Sequence, residues 1–116
     1  RLTCADAQPL LATISTAVLA KAEALGPREV SNVVWAFAKL QFSHAPCLEA
    51  MAISARQSIA SAHAMPQEVA NMAWAFAVLK FEDARLGEDL ACAFIESLRS
   101  ESVCSQNLAN MAWALA

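Results

Sequence analysis

Tryptophan recurs in this chain at a fixed interval, and so does the asparagine three residues before it. Trp35, Trp74 and Trp113 are spaced by 39 residues, as are Asn32, Asn71 and Asn110. Three segments align around them without a gap. They read EVSNVVWAFAKLQF from Glu29 to Phe42, EVANMAWAFAVLKF from Glu68 to Phe81, and NLANMAWALA from Asn107 to Ala116. A period of this length marks stacked supersecondary units, each too small to bury its own apolar face.

The repeated segment reads as a helix, here termed helix A. Pro27 and Pro66 stand where a helix tolerates proline, in its first turn, and Glu29 and Glu68 follow near the positive helix end. Gly26 suits the stop of the preceding helix, and Ser105 replaces the proline in the third copy as a capping residue. Val30, Val33, Val34, Phe37 and Leu40 follow the i, i+3, i+4, i+7 rule. With Trp35, Phe42 and several alanines off that face, the helix is apolar on several sides and must be covered on several sides. Phe37, Phe76, Leu40, Leu79 and Trp74 are the expected core, and Trp74→Ala is expected to cost about 3–5 kcal/mol.

A second helix, B, fills the space between copies. It spans about 46–62 and 86–99, with Met51, Ala55 and Ile59 matching Leu90, Phe94 and Leu98 at the same offset. Glu49, Arg56 and Gln57, then Glu88, Asp89, Glu96 and Arg99, give it a polar outer side. Residues 10–23 read as a further B helix with Leu11, Ile14 and Val18 inward. Hydrophobic residues make up 58% of the chain, much of it alanine, against two Gly and no Tyr. That is a helical composition rather than a sheet-forming one. The expectation is an all-α fold, an αα-hairpin repeat solenoid with a 39-residue period. Its units are 1–26 (partial), 27–65, 66–104 and 105–116 (partial), and a start at Arg1 and an end in an apolar run fit a piece of a longer protein. A helices near 27–41, 66–80 and 105–116 should neighbour one another, with the B helices as the other layer.

Several classes of function find no support in the sequence. The longest apolar stretch, 69–79, is short of the ~20 residues of a membrane span. Cys4, Cys47, Cys92 and Cys104 form no C-x-x-C pair and are not grouped with His44 or His63, so four free thiols and no metal site are expected. No cofactor motif, nucleophile–base pair or glycine-rich phosphate loop is visible, so no enzymatic activity is expected.

A unit of about this length with the core N-x-x-W-A-F-A or N-x-x-W-A-L-A resembles the octotricopeptide repeat, and NMAWAFA at 71–77 is close to that family's typical wording. The resemblance covers the whole chain. It is to arrays in organellar RNA-processing and translation factors of green algae, and to related dinoflagellate and apicomplexan organelle proteins, some ending in a RAP domain; no RAP-like segment is present here. It implies single-stranded RNA binding by side chains on helix A, in a chloroplast or mitochondrion. The candidate contacts are Arg28, Asn32, Lys39, Gln67, Asn71, Gln106 and Asn110. Arg and Lys suit phosphate, whereas Asn and Gln both donate to and accept from a base edge. Two other readings of the residues stand beside this one. The invariant Asn series fits a ladder of bonds between repeats, and the Trp series fits layer-filling core.

Charge points the other way. Eight Lys and Arg face eleven Asp and Glu, a net charge of -3, whereas RNA affinity rests heavily on neutralised phosphates. The alternative is a protein-binding scaffold or a structural subunit of a large organellar assembly such as a ribosome or photosystem. A buried concave face would then account for exposed Phe42 and Phe81.

Overall fold

The computed structural model describes residues 4–61, 64–99 and 104–115, with side chains from Pro9 onward. Six helices follow one another: α1 (Cys4–Lys21), α2 (Pro27–Lys39), α3 (Ala45–Ala60), α4 (Pro66–Val78), α5 (Ala84–Arg99) and α6 (Ser105–Leu115), with a 3-10 turn at Ala22–Ala24. No strand occurs among the described residues. Helix α4 packs against α2 on one side and α6 on the other, while α3 lies between α1 and α5. The two rows meet where α2 packs on α3 and α4 on α5, in a body of 43 × 26 × 24 Å.

The starts of the A helices follow the proline signal. Pro27 and Pro66 open α2 and α4, where a missing N–H costs nothing. The Glu68 carboxylate turns back and accepts the Met65 N–H at 2.8 Å, satisfying a donor that the helix leaves open. Gly26 differs from expectation: its extended backbone is the N-cap of α2, not the stop of the helix before it. Ser105 differs too. It is the first residue inside α6, and the helix's first bond runs from the Leu108 N–H to the Cys104 carbonyl.

Their ends are built by a turn with no glycine. Gln41 and Lys80 take left-handed backbone conformations, with φ of 53° and 55°. The Phe42 N–H reaches back to the Phe37 carbonyl at 2.9 Å and the Gln41 N–H to Ala38 at 3.1 Å. Phe81 and Lys80 repeat both bonds onto Phe76 and Ala77. This is a Schellman stop, and its usual apolar contact is here a pair of aromatic rings: Phe37–Phe42 at 5.1 Å and Phe76–Phe81 at 5.4 Å. Phe42 and Phe81 are therefore half-buried rather than exposed. Leu40 is the residue displaced. As C-cap it leaves the helix face, is 39% exposed, and gives its place over Phe37 to Phe42. The next helices start on matched caps, with His44 Nδ1 accepting from Cys47 N–H at 3.3 Å and Asp83 Oδ1 from Leu86 N–H at 3.1 Å.

The core confirms most of the apolar stripe. Val30, Val34, Phe37, Met51, Ala55, Val69, Met72, Phe76, Leu90 and Phe94 are buried. Leu79 and Ile59 are half-buried, and Leu98 is exposed. On α1 the inward set is Leu11, Ser15 and Val18 rather than Leu11, Ile14 and Val18. Ser15 is admitted because its hydroxyl bonds the Leu11 carbonyl at 2.8 Å, which removes the penalty of a buried unpaired group. Ser54 on α3 donates to the Ala22 carbonyl at 3.1 Å and ties α3 to the 3-10 turn. Arg56 and Asp89 join α3 to α5 at 2.9 Å.

Cys47, Cys92 and Cys104 are free thiols, as expected; the Cys4 side chain and His63 lie outside the described residues. No described helix is long and apolar enough to cross a membrane. Burial pushes the Cys47 thiol pKa up. In a titration with a disulfide reagent, Cys92 and Cys104 should react at once, and Cys47 only after denaturant is added. The turns yield a second test. Gln41→Gly and Lys80→Gly should each raise stability by about 0.5–1 kcal/mol in a denaturant titration, since glycine takes a left-handed backbone without a Cβ clash.

Candidate ligand groove on the A helices

Residues four, seven and eleven positions apart share one helix face. On α2 this rule joins Arg28, Asn32, Trp35 and Lys39; on α4, Gln67, Asn71, Trp74 and Val78; on α6, Gln106, Asn110 and Trp113. Because α4 lies between α2 and α6, the three stripes stand side by side. Together they form a shallow groove of about 530 Å³ lined by Trp35, Lys39, Gln67, Asn71, Trp74, Gln106 and Asn110. Five of the seven residues expected to bind are thus brought together. Arg28 and Asn32 are exposed on the same stripe but do not line the groove.

The tryptophans do not fill a core layer. Trp35 is 43% and Trp113 55% exposed, and Trp74 is half-buried against the core. At 3.6 residues per turn, Trp35 lies roughly 140° around the helix from Val30, on the polar side. The Lys39 ammonium sits 5.4 Å from the Trp35 ring centre, a cation–π contact in reach of solvent. Trp74 and Trp113 are 6.2 Å apart and tilted by 46°. Trp35 and Trp74 thus line the groove, and Trp113 stands beside it against Trp74.

The amides between them form a partial chain. Gln106 Nε2 donates to Asn110 Oδ1 at 2.8 Å, and Asn110 Nδ2 donates to Asn71 Oδ1 at a long 3.4 Å. The ladder between equivalent asparagines is therefore present between α6 and α4, and Asn32 stands outside it. These bonds fix the α6 amides while leaving each with unused donor or acceptor capacity.

No carboxylate lines the groove. Glu49, Glu88, Asp89 and Glu96 lie on α3 and α5, and Glu82 and Asp83 in the loop before α5. The net negative charge is thus carried largely on the B-helix side. No group of three or more His, Cys, Asp or Glu side chains is placed to hold a metal ion among the described residues. His44, the described histidine, caps α3.

The exposure of the indoles sets their energetic roles. Trp74→Ala should cost about 2 kcal/mol, below the roughly 3–5 kcal/mol of a fully buried aromatic. Trp35→Ala and Trp113→Ala should each move stability by less than about 0.5 kcal/mol, the range of surface substitutions. Chemical denaturation of the three variants checks the order. A large loss in Trp35→Ala would place that ring in the core.

No family model, curated protein or solved structure matches this chain.

Proposed function

We propose that the chain is a helical-repeat binding module, an αα-hairpin solenoid with a 39-residue period, whose A-helix groove binds single-stranded RNA. The observation that carries this reading is a row of three indoles, Trp35 and Trp113 exposed and Trp74 half-buried, beside side-chain amides in a groove without a carboxylate. Unstacked bases have two needs, an aromatic face to lie on and polar groups at their edges, and this groove supplies both. Trp35, Trp74 and Trp113 are the stacking platforms. Gln67, Asn71, Gln106 and Asn110 address base edges, and Lys39, with Arg28 and Asn32 beside the groove, meets the backbone. The resemblance to octotricopeptide arrays supports the same ligand class and a site in a chloroplast or mitochondrion.

The charge distribution tempers the affinity rather than the ligand class. Lys39 and Arg28 are the cations of this face, so few counterions are released on binding. A short single-stranded RNA should bind weakly, with a log–log salt slope no steeper than about -1.4 for two phosphates. Filter binding at two salt concentrations measures it. Trp35→Ala and Trp113→Ala should each weaken binding by about 1–3 kcal/mol. Lys39→Gln should flatten the salt slope by about 0.7. Negligible RNA binding at low salt, with the folded protein intact, would assign the groove to a protein partner and the chain to a scaffold.

A further inference from the structure

The chain has four methionines, and the fold divides them sharply. Met51, Met72 and Met111 are buried in the core, whereas Met65 is 64% exposed and lies outside the hydrophobic cluster. Met65 is the N-cap of α4, the residue just outside the helix. Gly26 holds the equivalent place before α2, 39 residues earlier, and has no side chain at all. The start of α2 is thus built without a side chain at this position, and no packing role accounts for Met65. Its thioether is open to reagents in solution.

An N-cap is usually Ser, Thr, Asp or Asn, whose side-chain oxygen accepts an N–H of the first helical turn. At Met65 half of that arrangement is in place. The Glu68 carboxylate accepts the Met65 N–H at 2.8 Å, and the Val69 N–H donates to the Met65 carbonyl at 3.0 Å. The Met65 side chain faces the Glu68 N–H in return, in the geometry of a capping box. A thioether is a weak acceptor, so this second half lacks a true cap bond. What the position lacks is one oxygen atom.

We infer that Met65 is a peroxide-sensitive modification site whose sulfoxide caps α4. The thioether lone pair attacks one oxygen of hydrogen peroxide. A sulfur–oxygen bond forms, the oxygen–oxygen bond breaks, and the proton on the transferred oxygen passes to the departing hydroxide to give water. Sulfur is oxidised and the peroxide reduced, two electrons passing between them. The new oxygen accepts the Glu68 N–H and completes the capping box. A sulfoxide inside a core disrupts packing, whereas here, outside the core, it adds a bond. The first turn of α4 carries Gln67, a lining residue of the A-helix groove. Oxidation thus firms one wall of the groove, whatever ligand the groove takes.

The test treats the full chain with hydrogen peroxide after its reactive thiols, Cys92 and Cys104 among them, are alkylated. Trypsin then releases residues 57–80 as one peptide that carries Met65 and Met72 together. Tandem mass spectrometry of this peptide should show oxygen gained at Met65 at least about tenfold faster than at Met72, and at equal rates when the chain is denatured first. Amide hydrogen exchange at Glu68 should slow by about fivefold on oxidation, the usual effect of an N-cap acceptor. Met65→Asp, which carries the oxygen permanently, should show the slow exchange without peroxide. Met65→Leu should show no peroxide effect at Glu68. Equal oxidation of Met65 and Met72 in the folded chain would overturn the proposal. So would Glu68 exchange that stays fast, or quickens, once Met65 is oxidised.

Discussion

The structure depends on how closely α4 approaches its two neighbours. Ala70 and Ala75 are fully buried and Ala73 nearly so, alongside Val69, Met72 and Phe76. Small side chains at these positions let three helix backbones run side by side with little between them. That closeness puts equivalent residues of α4 and α6 within reach of one another. Asn110 touches Asn71 and Trp113 meets Trp74 across this contact. A larger residue at Ala70 or Ala75 would overpack the contact, and such insertions cost about 1–3 kcal/mol. It would also spread the groove.

The second constraint is the turn from each A helix into its B helix. A left-handed residue, two reach-back hydrogen bonds and a ring-on-ring contact fix where the chain leaves the helix. The same loop then supplies the cap of the next helix, through His44 or Asp83. The angle between the two rows is thus constrained by local contacts. Phe42 and Phe81, expected on an exposed face, are the inner side of this device.

Much of the architecture was legible because its signals are local. Proline opened α2 and α4 where expected, and the stripe of Val30, Val34 and Phe37 pointed inward. Trp74, expected in the core, is only half-buried, and the layer-filling reading of the tryptophans rests on residue type rather than position. Indole is large and apolar, yet Trp35 shares a face with Arg28, Asn32 and Lys39, and the helical angle alone separates it from Val30. Leu40 departs from the expected core for a different reason. The stop at Gln41 uses a residue with no bias toward left-handed backbone, so nothing in the sequence announced that Phe42 would fold back and take its place. Ser15 in place of Ile14 reflects a hydroxyl satisfied by its own helix, which makes a polar residue as easy to bury as a small apolar one.

The placement of the indoles has an optical consequence. The chain holds three Trp and no Tyr, and every Trp lies on the A-helix stripe. Tryptophan emission from the folded protein therefore originates from that surface alone. Occupation of the groove would quench or shift the emission while the far-ultraviolet signal of the helices stayed constant. Melting of the core would change the helical signal and the emission together, because Trp74 packs against the core. Two events that usually share one spectroscopic trace, ligand entry and unfolding, are separable here without any attached label.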